Sequence, residues 1–189
     1  MTLGADAHRI AIEVRNLMQL FNSLDPSPFH DRDLDSDAEE YIVATARDFP
    51  RHAPLTLTVH VHGVDLGGES EASVGRAIHN YFGYRAEATR RDLHYQLRQG
   101  RSSLVIGVLF LLSCMTTQQA LLGVAGVGPV VDAVREGFII IGWVAMWHPV
   151  QVFLYGWWPI REQQRLYEKL REMPVEVRLV GRDEGKPLP

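Results

Sequence analysis

The chain has 189 residues, of which 46% are hydrophobic and 22% are charged, and it contains one cysteine. This length suits one modest domain and not several. The lone Cys114 excludes a disulfide framework and any metal or redox site of the Cys-x-x-Cys type, because each needs at least two thiols. The mean hydropathy of −0.08 is typical of a soluble protein, but it averages very different segments.

Acidic, basic and uncharged residues are separated along the sequence. Residues 1–75 contain thirteen acidic and five basic side chains, whereas residues 76–101 contain six arginines and two acids. Two uncharged stretches follow, thirty residues at 102–131 and twenty-four at 137–160, the second with His148 as its only histidine. Each is long enough for the roughly 20 apolar helical residues that span a bilayer core of about 30 Å.

The sequence therefore predicts two transmembrane helices, one over about 104–123 and one over about 138–158. Trp157 and Trp158 predict an aromatic belt at the membrane interface. The alternative is a pair of buried helices in a soluble core. The pattern disfavours it because soluble helices rarely run for twenty residues without a charged face.

Basic residues flank the two uncharged stretches, and Arg135 is the only base between them. By the positive-inside rule, both termini are predicted to lie on the cytoplasmic side of the cell inner membrane and a loop at about 124–136 to lie outside. Near anionic headgroups, each base would also contribute about 1 kcal/mol of attraction. The predicted membrane-interface residues are Arg90, Arg91, Arg98, Arg101, Trp157, Trp158, Arg161 and Arg165.

Among the polar side chains within the predicted spans, three are the intramembrane candidates: Gln118, Gln119 and His148. Gln118 and Gln119 are expected to face a protein neighbour or to lie near the far interface. His148 is a functional candidate because ionisable groups at membrane depth are costly. It is expected to face the first span at about 116–118, where a neutral imidazole would serve packing alone, and packing is the favoured interpretation. Pro149 predicts a kink.

The rest of the chain predicts a small α+β cytoplasmic domain, a three-stranded sheet with helices, interrupted by the two-helix transmembrane hairpin. Apolar residues alternate at 10–14, 55–61 and 175–179, which predicts three strands with one buried face each. Residues 34–49 have helical spacing, with Asp33 or Asp35 as N-cap and Pro50 beyond the end.

A second helix is predicted from about Ser73, and it becomes basic towards the membrane. It is expected to continue into the first span, with Gly100 as a bend. A short amphipathic helix around 166–170 leads to the last strand.

The predicted cytoplasmic domain is formed by two parts of the chain, one on each side of the transmembrane hairpin in sequence. Residues 1–101 form a cytoplasmic α/β part, residues 102–160 form the transmembrane hairpin, and residues 161–189 form a cytoplasmic helix and strand. The third strand would thus complete the sheet from the far side of the hairpin.

The segment 25–40 is rich in acidic residues. An EF-hand that begins at Asp31 would need glycine at Ser36 and glutamate at Ile42, so this calcium motif is excluded. A proline-rich turn followed by acids at a helix N-terminus is favoured over a site for a divalent ion or a basic partner.

His60 and His62 share one face of the second predicted strand, where Glu13 or Glu176 could join them as zinc ligands. Two imidazoles on a solvated face are the favoured interpretation, so no metal site is predicted. The sequence lacks the Walker, dinucleotide-binding, nucleophile-elbow and His-Glu-x-x-His motifs. No cofactor is predicted, and an enzyme is less favoured than a protein without catalysis.

Two stretches, NSLDPSPFHDRDLD at 22–35 and GWVAMWHPVQVFLYGWWPI at 142–160, carry a family resemblance. The chain resembles an uncharacterised family of small bacterial inner-membrane proteins with two transmembrane helices. The resemblance extends over most of the chain. It implies a membrane location and supplies no catalytic residues. It also implies an arginine at the position of His148, which would argue against an essential imidazole there.

Taken together, these features predict an integral inner-membrane protein with a cytoplasmic assembly or regulatory domain. Its expected partners are the lipid bilayer and either further copies of the chain or another membrane protein. Nucleic acid is not expected, because the domain that would bind it is acidic. Two alternatives remain open. One is a subunit of an oligomeric transporter or channel, with Gln118, Gln119 and His148 along the path, and the other is a membrane-bound metal-dependent enzyme.

Overall fold

The computed structural model describes residues 8–62, 70–124 and 128–180, with the backbone alone for residues 121–124. It is mostly helical, with a small three-stranded parallel sheet and two long apolar helices. The elements are β1 (His8–Val14), α1 (Ser36–Asp48), β2 (Leu55–Val61), α2 (Glu71–Val124), α3 (Pro129–Gln151), a π-helical segment (Val152–Gly156), α4 (Trp158–Glu172) and β3 (Val175–Leu179), with short 3-10 turns at Leu17–Leu20 and Phe29–Asp31.

The chain divides into two compact units. The head comprises residues 1–88 and 163–189, and the helical unit comprises residues 89–162. The head is therefore built from two segments that are far apart in sequence, whereas the helical unit is one continuous stretch. Helices α2 and α4 each contribute residues to both units.

The sheet of the head has the order β1-β2-β3, and both strand pairs are parallel. Leu57 on β2 lies opposite Ile10 on one side and Val175 on the other. The prediction of three strands is confirmed, and so is the prediction that a strand from beyond both apolar helices completes the sheet. The central strand thus pairs with segments from each end of the chain.

The prediction of one solvated face is wrong for β2. Thr56 and Thr58 are buried together with the alternating Leu57 and Val59. The alternation of residue types does not distinguish a central strand from an edge strand, and β2 has a neighbour on each side. The Thr58 hydroxyl has no hydrogen-bond partner among the described residues.

Helices α1, α2 and α4 pack in one core with the apolar residues of the sheet. Each helix contributes at least one fully buried side chain: Ile42 from α1, Phe82 from α2 and Leu170 from α4. The predicted apolar face of the second helix is confirmed, because its residues from Ala77 to Phe82 that have helical spacing are buried. The core therefore contains residues that precede the helical unit in sequence and residues that follow it.

The two outer edges of the sheet are each contacted by a side chain from a helix. The Tyr41 hydroxyl donates to the carbonyl of Ala11 on β1 at 3.2 Å. The amide of Val177 on β3 donates to Glu71 at 3.0 Å. Side chains that engage edge groups in this way reduce pairing with another chain.

The predicted boundaries of α1 are confirmed. The side chain of Asp35 accepts a hydrogen bond from the amide of Asp37, which makes Asp35 the N-cap. The helix ends at Asp48, two residues before Pro50. Asp33 donates its backbone amide elsewhere and does not cap the helix.

Helix α2 is 54 residues long and continues from the head into the helical unit, as predicted. Helical structure is uninterrupted at Gly100, where a bend was expected. A Cβ atom at Gly100 would lie 2.8 Å from Val152 Cγ1. The glycine therefore allows close packing between helices.

The predicted outer loop at 124–136 is wrong over most of its length. Residues 125–127 lie outside the described residues, and α3 already begins at Pro129, with Gly128 as its N-cap. Proline is favoured at the first helical position, and Asp132 lies in the first turn, where the helix dipole stabilises negative charge. The charges of this segment therefore lie on a helix.

Pro149 lies inside α3, near its end. The amide of Val152 contacts the carbonyls of both His148 and Pro149, and the chain then continues as the π-helical segment. Proline removes one backbone donor, and π-helical turns are one way in which a helix accommodates such a defect. Close to Pro149, where a kink was predicted, the backbone thus changes from α-helical to π-helical hydrogen bonding.

We expect residues 1–100 alone not to fold cooperatively, because they lack β3 and the buried Tyr167 and Leu170 of α4. Thermal unfolding followed by circular dichroism checks this. The full chain should show a sigmoidal transition for the head. A cooperative transition of residues 1–100 alone would contradict the dependence of the head on its C-terminal segment.

Candidate functional site

The helical unit is held together by close contacts at glycines. A Cβ at Gly142 on α3 would lie 2.8 Å from Leu111 Cδ1 on α2, and one at Gly107 would lie 3.1 Å from Met146 Sδ. Gly100 faces Val152 in the same way. The facing positions run in opposite directions along the two segments, so they pack antiparallel. Small residues at such positions let helix backbones approach closely.

Most of the apolar surface of this unit is exposed. In the most apolar stretch of each long helix, 11% of the residues are buried, and both helices are long and apolar enough to cross a membrane. Trp143 is 66% and Trp147 is 73% exposed. A helix in a soluble core would be mostly buried, so these exposures argue against the soluble-core alternative.

One end of the helical unit carries exposed aromatic residues. Gly156 lies against Gln96. The residues next to Gly156 in sequence therefore lie at about the same height along the helix pair as the residues next to Gln96. Tyr95, Tyr155 and Trp158 at this level are 71%, 69% and 64% exposed. The tryptophans were predicted from sequence as interface residues, whereas the two tyrosines were not. The helical period alone could not place Tyr95 at the level of Trp158, because that depends on the register between the two segments.

Trp157 is only partly exposed, unlike its neighbour Trp158. Its indole N–H donates to the carbonyl of Phe153 at 2.8 Å, and the Arg161 guanidinium lies 5.5 Å from the indole ring centre. Trp157 thus stabilises the π-helical segment, where backbone carbonyls lose their regular partners. Among the predicted interface residues, Arg90, Arg91, Arg98, Arg101, Arg161 and Arg165 are exposed.

The prediction that His148 faces residues 116–118 is wrong. His148 lines an open groove with Ser103, Ile106 and Gly107, at a level just beyond the arginine-rich middle part of α2. The antiparallel register explains the difference, since the contact of Gly142 with Cys114 fixes the levels of the two helices. His148 lies six residues beyond Gly142, and Gln118 lies four residues beyond Cys114 in the opposite direction along the axis. At about 1.5 Å per residue, His148 and Gln118 are therefore about 15 Å apart along the axis.

The three intramembrane candidates therefore do not meet. Gln119 is exposed and Gln118 is half-buried, and both lie towards the end of the helical unit that also holds Arg135. Arg135 pairs with Asp132 at 3.1 Å. This placement agrees with the expectation that the glutamines lie near one end of the span.

In the head, a polar cluster joins the three helices around Glu39. The Glu39 carboxylate accepts hydrogen bonds from the Tyr81 hydroxyl at 2.5 Å and from Arg85 Nε at 2.9 Å. The Tyr167 hydroxyl donates to it at 3.2 Å and accepts from Gln163 at 3.1 Å. Glu39 is on α1, Tyr81 and Arg85 are on α2, and Tyr167 is on α4. We call these five residues the Glu39 cluster.

The electrostatics of the Glu39 cluster favour one charge state. Burial and the hydrogen bond to Glu39 raise the pKa of Tyr81, so the phenol remains protonated. Burial alone would lower the pKa of Arg85, but the nearby Glu39 and Tyr167 outweigh it and the pKa is raised. The Arg85 guanidinium also lies 5.5 Å from the Tyr167 ring centre. The cluster is therefore an ion pair between Glu39 and Arg85 to which the hydroxyls of Tyr81 and Tyr167 donate hydrogen bonds.

The sequence analysis missed this cluster, because its partners are far apart in the chain. Glu39 and Tyr167 are 128 residues apart. A tyrosine near the buried stripe of each helix was visible in sequence, but nothing there identified Glu39 as their shared partner.

Within the acidic segment, several carboxylates have structural roles. Asp25 accepts from the amide of Ser27 at 2.9 Å with one oxygen and from the amide of Asp33 at 2.8 Å with the other. Asp35 caps α1, and Glu39 forms the cluster described above. The favoured interpretation, a turn followed by a helix N-terminus, agrees with these contacts.

One of the two strand histidines lies close to a carboxylate. His62 Nε2 lies 3.6 Å from a carboxylate oxygen of Glu13, with both side chains largely exposed. Over residues 8–62, 70–124 and 128–180, no group of three or more His, Cys, Asp or Glu side chains could hold a metal ion. The described geometry thus gives no support to a zinc site at His60.

Comparison with known proteins adds no relative: no family model, no curated protein and no solved structure matches the chain. The functional argument therefore rests on the residues and contacts above.

Substitution Glu39→Gln should lower the free energy of unfolding of the head by about 1 to 2 kcal/mol, because it removes charge-assisted hydrogen bonds from Arg85. Glu40→Gln is the matched control, since Glu40 is exposed on the same helix. Denaturant unfolding followed by circular dichroism measures both. Equal stabilities of the two variants would contradict the structural importance of the cluster.

Asp25 should make the head more stable above than below its folded-state pKa. Hydrogen bonds from the amides of Asp33 and Ser27 lower the pKa of Asp25 from its ordinary value of 3.8. The stabilisation is therefore complete above this ordinary value and is lost as the pH falls through the lower, folded-state pKa. The melting temperature of Asp25→Asn should depend less on pH in this acidic range than that of the wild type. Parallel curves for the two proteins would contradict this role.

Proposed function

We propose that the chain is an integral inner-membrane protein whose head lies in the cytoplasm and has an assembly or regulatory role. In this proposal, α2 and α3 form a transmembrane hairpin that anchors the head. The observation that carries the proposal is the exposed apolar surface of the helical unit, bordered at one end by arginines and aromatic residues. Such a surface in water would be a strong aggregation site, whereas lipid covers it without cost.

The dimensions of the uncharged surface support this placement. From Ser102 to Val124, the uncharged part of α2 rises about 33 Å, close to a typical hydrocarbon core of about 30 Å. Arg98 and Arg101 precede this stretch and have side chains long enough to reach the headgroups. At the other end, the pair Asp132–Arg135 lies on the first turns of α3.

The distribution of charge supports cytoplasmic termini. Exposed arginines cluster on the segments before the first span and after the second, whereas Arg135 is the only base between the spans. An unequal number of bases on the two sides orients membrane proteins with the basic side inside. The head would then lie in the cytoplasm, since both of its segments adjoin the basic ends.

A regulatory or assembly role is supported by how the head is completed. Its central strand pairs with β1 and β3, and β3 follows the hairpin in sequence. The Glu39 cluster joins α2 to α4, the two helices that continue into the helical unit. In our proposal, a partner that separates the hairpin helices would also strain the head, which would connect a membrane event to a cytoplasmic surface.

The alternatives receive less support. A transport path lined by His148 and Gln118 would require an oligomer, because the two spanning helices of one chain cannot enclose a pore. A metal-dependent enzyme would need free carboxylates, and Asp25 uses both of its oxygens in backbone hydrogen bonds.

The proposed topology predicts which positions an impermeant thiol reagent reaches in intact cells. In a Cys114→Ala background, Val130→Cys should be labelled from outside, because Val130 is 74% exposed at the start of α3. Glu168→Cys, at an exposed site of α4, should be labelled only after permeabilisation. Labelling is measured by mass shift on a gel.

The Cys114→Ala background without a new cysteine is the control for nonspecific labelling. The reverse pattern would contradict the orientation. Complete release of the chain from membranes by alkaline carbonate would contradict membrane integration itself.

A further inference from the structure

One side of α2 carries three arginines followed by three apolar residues. Successive members of this set are separated by seven, three, four, four and three residues. Such steps keep side chains on one side of a helix. All six side chains are exposed. We call this set the outer stripe: Arg91, Arg98, Arg101, Val105, Leu109 and Leu112.

The outer stripe lies opposite the contact between α2 and the segment that packs on it. Gly100 marks the contact side, because a Cβ there would lie 2.8 Å from Val152 Cγ1. Arg91 and Leu109 lie nine residues before and after Gly100, which is about two and a half helical turns. The stripe therefore faces away from the neighbouring segment. In agreement with this, Val105 and Leu109 are 58% and 62% exposed.

The guanidinium groups of the outer stripe are available to a partner. Over the residues that the structure describes, none of the three forms an ion pair or a hydrogen bond. After Asp92, α2 contains no acid, and none lies on the facing segment from Gly137 to Ile160. Tyr95, four residues after Arg91, is 71% exposed and belongs to a residue type that is enriched at membrane interfaces. An anion on this side of α2 would meet positive charge without a competing carboxylate.

We propose that the outer stripe binds anionic phospholipid of the adjoining leaflet in preference to zwitterionic phospholipid. The acyl chains lie along Val105 and Leu109, and the headgroup lies beside Arg98 and Arg101, with Arg91 about 10 Å further along the axis. This inference rests on the proposed membrane function, which brings the apolar half of the stripe into lipid. The change from apolar to basic residues along one side of the helix matches the order of acyl chain and headgroup.

The net charge of the headgroup decides this preference, and not a contact with its phosphate. Phosphatidylglycerol and phosphatidylcholine both carry a phosphate that an arginine can bind. Phosphatidylcholine also carries a quaternary ammonium group, which the same arginines repel. A base near the membrane surface strengthens the binding of a net negative lipid by about fivefold. Because the arginines are exposed, salt screens the attraction.

A phospholipid accounts for both halves of the outer stripe. The alternative occupant is the head of a second copy, since residues 1–75 contain thirteen acids and five bases. An acidic protein surface would match the three arginines but would leave the exposed apolar residues that continue the stripe without a partner. Charge complementarity together with this continuity therefore favours lipid.

The experiment uses the full chain, purified in detergent and incubated with equal amounts of phosphatidylglycerol and phosphatidylcholine that have the same acyl chains. Native mass spectrometry measures the bound fraction of each lipid. We expect the wild type to retain phosphatidylglycerol about tenfold more strongly than phosphatidylcholine. The double variant Arg98→Gln, Arg101→Gln should lower this preference to about twofold or less, because it removes two bases from the stripe.

The double variant Arg9→Gln, Arg47→Gln is the matched control. It removes the same charge from two exposed positions of the head and should keep the tenfold preference. The double variant Arg98→Lys, Arg101→Lys retains the charge and should also keep most of the preference. Raising the salt concentration to about 1 M should reduce the preference of the wild type, because the screening length then falls to about 3 Å. Circular dichroism checks that each variant is folded.

Equal retention of the two lipids by the wild type would overturn the proposal, and the arginines would then serve orientation alone. An equal loss of preference in the control variant would overturn it as well, because the charge of the whole chain would then be responsible. A mass of two chains without lipid, lost in Arg98→Gln, Arg101→Gln, would assign the stripe to a second copy. None of these results affects the proposed membrane function, which fails separately if the wild-type chain does not float with lipid vesicles in a density gradient.

Discussion

The pairing of β2 with β3 is the constraint on which the rest of the structure depends. Leu57 lies opposite Val175, and between these residues the chain passes through both long apolar helices. Parallel neighbours need a long connection, and here the connection contains the whole helical unit. The chain must therefore return to the head after leaving it, and the two long helices must run in opposite directions. The antiparallel contacts of Gly100 and Gly142 satisfy this requirement.

The two units are held together by different interactions. The head is held by a mixed core of strands and helices, in which burial of apolar side chains supplies most of the stability. Between α2 and α3, the closest contacts involve glycines. Close van der Waals packing can hold helices together even in surroundings as apolar as their side chains, where burial gives no hydrophobic gain. The Glu39 cluster adds a directional contact where α2 and α4 belong to the head. Because directional contacts specify one geometry, the cluster fixes the spacing of helices that apolar packing alone would leave adaptable.

The features that could be predicted from sequence are those set by neighbours in the chain. Alternation predicted the strands, helical spacing predicted the buried side of α2, and a capping aspartate, Asp33 or Asp35, predicted where α1 starts to within two residues. The burial of Thr58 could not be predicted, because it depends on the central place of β2 in the sheet. The partners of Glu39 and the surroundings of His148 depend on the register of helices that are far apart in sequence. In each case the local pattern was correct, and its long-range partner was undetermined.

The level of His148 bears on what the membrane surface of this protein can do. An imidazole in the middle of a bilayer would need a partner or a water-filled path. The contact of Gly100 with Val152 instead places His148 within a few turns of Arg101, on the side that the proposed topology assigns to the cytoplasm. At this depth an imidazole can contact headgroups and water without a transmembrane path, and Pro149 with the π-helical segment adjoins it. His148 thus lies four residues before the point at which α-helical hydrogen bonding gives way to the π-helical segment.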